Sequence, residues 1–263
     1  MHPDIRQHFR LVQAFAALTL SLALCATTIA APLPDFTANY SLHKGFLGAR
    51  ATVTFEVNGD SYVYYSLTEP TGLLAVFRSD RIVERSSGVF RDGLPRPLTY
   101  QFLHTNRGKT KRDVQLVFDW DHHEVANTVK GHTWTMPIPD GTLDKFVVQL
   151  AVMIDLERGG KNLEYKIADG GKLKTYGFAI EGKQTVDTPA GEFSTIKVMR
   201  IRDSDSKRET YLWCAPKLDY LPVRAEHIDN DGNVFTMDLD KVDGIQPSRA
   251  RQETEGHVAS GLR

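Results

Sequence analysis

The chain has 263 residues, 41% hydrophobic and 25% charged, with Lys+Arg 32 against Asp+Glu 33 and a formal net charge of −1. That balance supplies no long-range field for nucleic acid or anionic surfaces, so nucleic-acid binding is disfavoured. Two cysteines exclude a disulfide-built scaffold, and the length is ample for a core that stabilises itself.

The first thirty residues read as a signal peptide. Arg6 and Arg10 precede an apolar run from Leu11 to Cys25, and Thr28-Ile29-Ala30 supplies the cleavage region. The run falls short of the roughly 20 apolar residues that cross a bilayer. No later segment is longer, so no transmembrane segment is expected after cleavage. Leu22-Ala23-Leu24-Cys25 imitates a lipoprotein box, but the position before the cysteine calls for a small residue and holds Leu24. Periplasmic release is therefore expected, with a lipoprotein as the alternative. Cleavage leaves Cys214 as the only cysteine, read as a buried small hydrophobe between Trp213 and Ala215.

Residues 31–245 are expected to form one β-rich domain. Period-two alternation predicts strands at Thr37 to Lys44, Arg50 to Val57, Ser61 to Thr68, Asp80 to Phe90 and Leu98 to Asn106. Val114, Leu116, Phe118 and Trp120 then alternate with Asp113, Gln115 and Asp119 as a half-buried antiparallel strand. Glu124 to Lys130 follows. Residues Thr142 to Arg158 break the pattern, with Leu143, Phe146, Val147, Leu150 and Ile154 at helical spacing and Gly159-Gly160 as the stop. Val148, Ala151, Val152 and Met153 widen its apolar face, so this helix must be covered on more than one side.

Strands resume at Leu163 to Ala168, Leu173 to Glu181, Thr195 to Arg202, Glu209 to Cys214, Val223 to Ile228 and Val234 to Lys241. Asn58-Gly59-Asp60, Thr188-Pro189-Ala190-Gly191 and Asn230-Asp231-Gly232-Asn233 are turn sequences that argue for hairpins over crossovers. The expected fold is mainly β: one antiparallel meander forming a curved sheet, half-open barrel or sandwich, with the 142–158 helix packed against it. Residues 246–263 are polar and aperiodic, and are expected to be a disordered tail.

Candidate chemistry is sparse. Asp119, Asp121 and His123 would share a face if their strand stayed extended, and could then hold a divalent cation; the same residues are ordinary turn formers. Asp229, Asp231 and Asn233 imitate a calcium loop, but the sixth position is Val234 where glycine is required, so a hairpin turn is expected. Lys109-Thr110-Lys111-Arg112 is the strongest basic run and reads as a solvated hairpin tip before the Val114 strand. Ser86-Ser87-Gly88 lacks the glycines of a nucleophile elbow. No zinc-protease pair, phosphate loop, dinucleotide fingerprint or paired-cysteine motif is present, so no cofactor is expected.

Tyr40 through Gly48, Thr71-Gly72-Leu73, Val117-Phe118-Asp119-Trp120, Thr188 through Phe193 and the block from Leu212 to Arg224 resemble a bacterial family called domain of unknown function 3108. The resemblance spans nearly the whole domain. It implies export, a β-rich fold and no established activity, so it carries no catalytic residues. Pro216 and Pro222 in the last block cannot donate to a ladder and should bracket a bend.

Two functions fit. The first is a periplasmic binding or carrier module for an apolar, lipid-like or envelope-derived ligand, with Phe146, Leu150, Met153, Trp120 and Trp134 as candidate lining residues and Arg224 as a candidate anion contact. The second is a non-catalytic envelope structural or assembly protein that uses sheet edges to bind an envelope partner. An enzyme ranks third. An outer-membrane barrel ranks last, because several strands carry charge on both faces.

Overall fold

The structure is a computed structural model and describes residues 32–202 and 206–245. The signal-peptide and tail assignments at 1–30 and 246–263 lie outside the described residues. In chain order the elements are β1 (Phe36–Lys44), β2 (Leu47–Asn58), β3 (Ser61–Thr71), a short helix α1 (Gly72–Phe77), β4 (Asp80–Arg91), β5 (Leu94–Asn106), β6 (Lys109–Asp119), β7 (Glu124–Val129), β8 (His132–Pro137) and β9 (Leu143–Asp144). Helix α2 (Val148–Glu157) follows, then β10 (Leu163–Asp169), β11 (Lys172–Thr188), β12 (Gly191–Ile201), β13 (Glu209–Ala215), a 3-10 turn (Pro216–Leu218), β14 (Leu221–Ile228) and β15 (Val234–Asp243).

Among the described residues all of the strands join one open, curved sheet of 15 members that does not close into a barrel. Its order is β8-β7-β6-β5-β4-β3-β2-β1-β15-β14-β13-β12-β11-β10-β9. Two meanders are thus welded where β1 meets β15, and every neighbouring pair is antiparallel except β9 with β10. Bulges at Asn39/Tyr40, Ser87/Gly88, Ile180/Gly182 and Trp213/Cys214 supply extra local twist, which lets so long a sheet bend.

Alternation along the strands separates a core-facing concave side from a convex one. Phe36, Ala38, Tyr40, Phe55, Tyr62, Tyr64, Val223 and Leu239 are buried in one continuous core with helix α2. Seven of the helix's ten residues are buried, as expected of a helix that is apolar round most of its circumference. A second core gathers Tyr100, Leu116, Phe118, Trp120, Val125, Ile138 and Ala168, bringing residues from β5, β6 and β7 against β10.

Three local readings change. The helix begins at Val148, because Asp144 draws the preceding residues into a turn by accepting the backbone N–H groups of Phe146 and Val147. The run Lys109 to Arg112 lies within β6 and is not a hairpin tip: the turn is Arg107-Gly108, both at positive φ. Asp92-Gly93 and Lys130-Gly131 make hairpins of the same two-residue form. The strand ending at Asp119 does not stay extended either, since residues 120–123 form a turn with His123 at φ 52. The bend expected between Pro216 and Pro222 is present, with Asp219 and Tyr220 both left-handed.

Candidate functional site

Helix α2 fills the middle of the concave side. Leu150 and Met153 are fully buried within the core, and Phe146 stacks on Tyr64 with ring centroids 4.1 Å apart. Trp120 packs on Phe118, and its indole N–H donates to the Pro97 carbonyl at 2.8 Å. Trp134, 40% exposed, lies over Gly171 in the β10–β11 turn. Arg224 is on the convex side, where its Nε donates to Asp238 at 2.6 Å and its Nη2 to the Asp187 carbonyl. Asp119 accepts from His122, and its carboxyl is held below the usual range by that bond; His123 lies nearest Asp140. Among the described residues no group of three or more His, Cys, Asp or Glu side chains is placed to hold a metal ion.

The open space lies at one end of the same concave side. Antiparallel partners share a face, so the register Leu42↔Met237↔Ala225 continues the buried row of Tyr40 and Leu239 outward. One step further out, Phe235 faces His227, which faces Thr210, and the Lys44 ammonium sits 4.3 Å above the Phe235 ring. Together with Leu47 and Ala49 of β2, these residues line an apolar groove of about 360 Å³. Its floor is the edge of the core, because Leu42 and Met237 pack directly against it. Phe46, at the β1–β2 turn, is 95% exposed beside the groove.

A second cavity of about 600 Å³ lies on β11, β12 and the segment before β13. Arg200 pairs in register with buried Phe178, so it too is on the concave side, and its guanidinium lies 3.4 Å above the ring of Tyr176. Arg202 and Arg208 line the cavity with it. The Nε atoms of Arg200 and Arg202 are buried and have no hydrogen-bond partner among the described residues. Burial, and then the charges of Arg200 and Arg208, pull Arg202 below the usual arginine range. Lys174 on the same wall is already paired with Asp169 at 2.7 Å.

A hydrogen-bonded chain runs from a residue of one lining to two residues of the other. Arg202 Nη2 donates to Thr210 Oγ1 at 3.0 Å, and that hydroxyl is 2.9 Å from His227 Nδ1. Thr210 and His227 both line the apolar groove, while Arg202 lines the basic cavity. Burial and the Arg202 charge hold His227 below the ordinary histidine value, which favours its neutral form.

Sequence reading missed this mouth because its parts are distant in the chain. Leu42, Met237 and Phe235 each look like an ordinary core position of an alternating strand. The one local signal is Arg200-Ile201-Arg202, which continues the inward face of Val198 with two cations.

Comparison with known proteins agrees with the fold. A β-barrel-like protein of domain of unknown function DUF1849 from Brucella abortus superposes with a TM-score of 0.54 at 11% identity, over 82% of this chain and 99% of that one. A candidate exported protein with a YmcC-like fold from Bacteroides fragilis gives a TM-score of 0.30 at 12% identity, over 79% and 95%. A candidate lipoprotein from Parabacteroides distasonis gives 0.31 at 10%, over 81% and 98%. No curated protein matches the sequence. The model of the family described as protein of unknown function (DUF3108) matches residues 35–240, from the start of β1 into β15, and the chain belongs to that family.

Proposed function

We propose that the protein is an exported, periplasmic binding or carrier module that takes an apolar ligand into the groove at the open end of its concave side. The observation that carries this reading is the groove itself: about 360 Å³, lined by Leu42, Leu47, Ala49, Phe235 and Met237, and floored by the core. Ligand sites are concave and mostly apolar with a few polar groups to fix orientation, and His227 and Thr210 stand in that relation to the apolar wall. The leader at residues 1–30 supports export. A non-catalytic assembly role is the competing outcome.

Native mass spectrometry of the mature protein, purified without detergent from the periplasm of its host, tests the reading. The expected result is a bound species of defined mass that is lost when Leu42→Glu places a charge on the groove floor. An apo mass, combined with no uptake of a fluorescent fatty acid by the folded protein, overturns it.

A further inference from the structure

A meander reverses at every turn, so alternate turns of the arm from β1 to β8 fall on the same end of the sheet. The β1–β2, β5–β6 and β7–β8 turns share one end with the α1 connection between β3 and β4. The β2–β3, β4–β5 and β6–β7 turns share the other with the segment after β8. The registers Lys44↔Leu47, Asn106↔Lys109 and Val129↔His132 close the first set, and Asn58↔Ser61, Arg91↔Leu94 and Asp119↔Glu124 the second.

Charge separates between these two ends. The first carries Lys44, Arg78, Arg107, Lys109, Lys111 and Lys130, all but Lys44 exposed. Its acidic residues, Asp80 and Glu69, lie 3.7 Å from Arg78 and 3.5 Å from Arg81. The second end carries exposed Asp60, Asp92, Asp119, Asp121, Glu124 and Asp140, against Arg91 and Arg96. The near-neutral total conceals this separation, and at close range each end acts through its own charges.

The basic end is also the end where the apolar groove opens, since Lys44, Leu47 and Gly48 belong to its lining. Phe46, at the tip of the β1–β2 turn, is 95% exposed, and Val76 in α1, which packs on β2 and β3, is 75% exposed. Leu47, Val234 and Phe235 are exposed at this end as well.

We infer, resting on the carrier reading, that this end is a docking surface for an anionic lipid bilayer: Phe46 and Val76 enter the headgroup layer, the cations of the alternate turns lie on the headgroups, and the groove opens onto the hydrocarbon. Charge complementarity supports the partner, because a leaflet with anionic headgroups attracts lysine and arginine held at its surface. The apolar tip supports a fluid layer over a protein partner. A side chain that protrudes as Phe46 does has no concavity around it to seat a partner's residue, whereas lipid closes around it. Continuity supports the orientation, since an apolar ligand then passes between bilayer and groove without crossing water. Across the groove the β14–β15 turn carries Asp229 and Asp231, with Asp229 3.9 Å from Lys44, so the β1–β8 arm is the side that meets the membrane.

The test measures co-sedimentation of the mature protein with vesicles of phosphatidylcholine alone or with about a third phosphatidylglycerol. The variants are Lys109→Gln/Lys111→Gln/Lys130→Gln, Phe46→Ser and, at the opposite end, Asp60→Asn/Asp121→Asn, each first shown to melt as the wild type does. Uptake of a fluorescent fatty acid added from solution is measured in parallel and reads the groove without the membrane. The expected result is binding to the anionic vesicles that fades in 0.5 M salt and is weakened roughly thirtyfold or more in the triple variant. Phe46→Ser should weaken it roughly tenfold. Asp60→Asn/Asp121→Asn raises the net charge far from the surface and should leave binding unchanged, and all three variants should keep fatty-acid uptake. Binding that ignores lipid charge, or that responds equally at both ends of the sheet, overturns the docking surface. Fatty-acid uptake with no vesicle binding overturns it too, leaves the carrier reading standing and turns the basic end toward an acidic protein segment. Vesicle binding as expected with no fatty-acid uptake supports the docking surface and overturns the carrier reading.

Discussion

The hydroxyl of Ser86 in β4 donates to the carboxylate of Asp144 in β9 at 2.6 Å, wholly inside the protein. That bond ties one meander to the lead-in of helix α2, since the same carboxylate accepts the backbone N–H of Phe146 at 2.9 Å and of Val147 at 2.8 Å. Around it, Tyr100 and Lys145 both donate to Glu84, and Tyr62 lies within 3.5 Å of Ser86. These bonds satisfy polar groups that would otherwise be stranded where the helix enters the core.

Asp144→Ala should therefore be among the most damaging single changes. It leaves the Ser86 hydroxyl and two backbone N–H groups without acceptors in a dry site, at a cost of roughly 2–4 kcal/mol. Asp144→Asn keeps an acceptor oxygen and should lose much less at neutral pH. Urea melting of the two variants beside the wild type checks the order; equal losses would mean that these acceptor bonds contribute little.

Asp144 also gives the fold a pH dependence with a definite sign. Burial pushes its carboxyl up to about 6 in the folded chain, against 3.8 for the free side chain, with the neighbouring Glu84 charge acting in the same direction. The folded state thus holds the proton more tightly, so this group's stabilisation is full below pH 3.8 and is lost as pH rises through about 6. The stability of Asp144→Asn relative to the wild type should accordingly improve across that interval, by roughly 1–3 kcal/mol. Parallel stability curves for the two proteins from pH 4 to 7 would show that Asp144 is not the group responsible.

The elements that were legible in the sequence are those whose alternation reports burial directly, such as Val114-Gln115-Leu116 or the strand at Thr37. The helix is legible from its apolar residues but not from its start, because the turn that Asp144 holds before Val148 is anchored on Ser86, far away in the chain. Strand β8 was missed since its residues are largely exposed and follow no alternation. Arg107-Gly108 carries little turn signal, because arginine is a poor turn former by itself and reaches positive φ here under the constraint of the paired strands. The mouth of the concave side was illegible for a related reason. Leu42 meets Met237 only through the β1–β15 register, which no local pattern encodes.

Gly88 is required by packing and not by φ. It sits at the β4 bulge, where an added Cβ would overlap the Arg96 carbonyl oxygen and fall 2.7 Å from Pro97 Cα. The β5 backbone it meets cannot yield cheaply, so Gly88→Ala should cost about 3 kcal/mol and disturb the Trp120–Pro97 bond. At Gly59, by contrast, the space is open and only the positive φ opposes alanine, for a loss of about 1 kcal/mol. Tryptophan fluorescence and thermal melting separate the two, and a mild Gly88→Ala phenotype would mean that the bulge can slide.

Cys214 provides a probe of how the two halves of the sheet open. It is fully buried, pairs in register with Ile196 and Pro222, and burial pushes its thiol up to about 12. Both inaccessibility and a thiolate fraction on the order of 10⁻⁴ at pH 8 oppose reaction. The folded protein should leave an aromatic disulfide reagent unconsumed over hours, and one equivalent should react promptly in urea. Because Tyr40 of β1 donates to the Pro222 carbonyl at 3.0 Å, exposing Cys214 requires parting β14 from the β1 side of the core. Slow labelling should then follow global unfolding, and Tyr40→Phe should accelerate it while leaving the spectrum of the folded state unchanged. Rapid stoichiometric labelling of the native protein would place Cys214 in a region that opens independently of the rest.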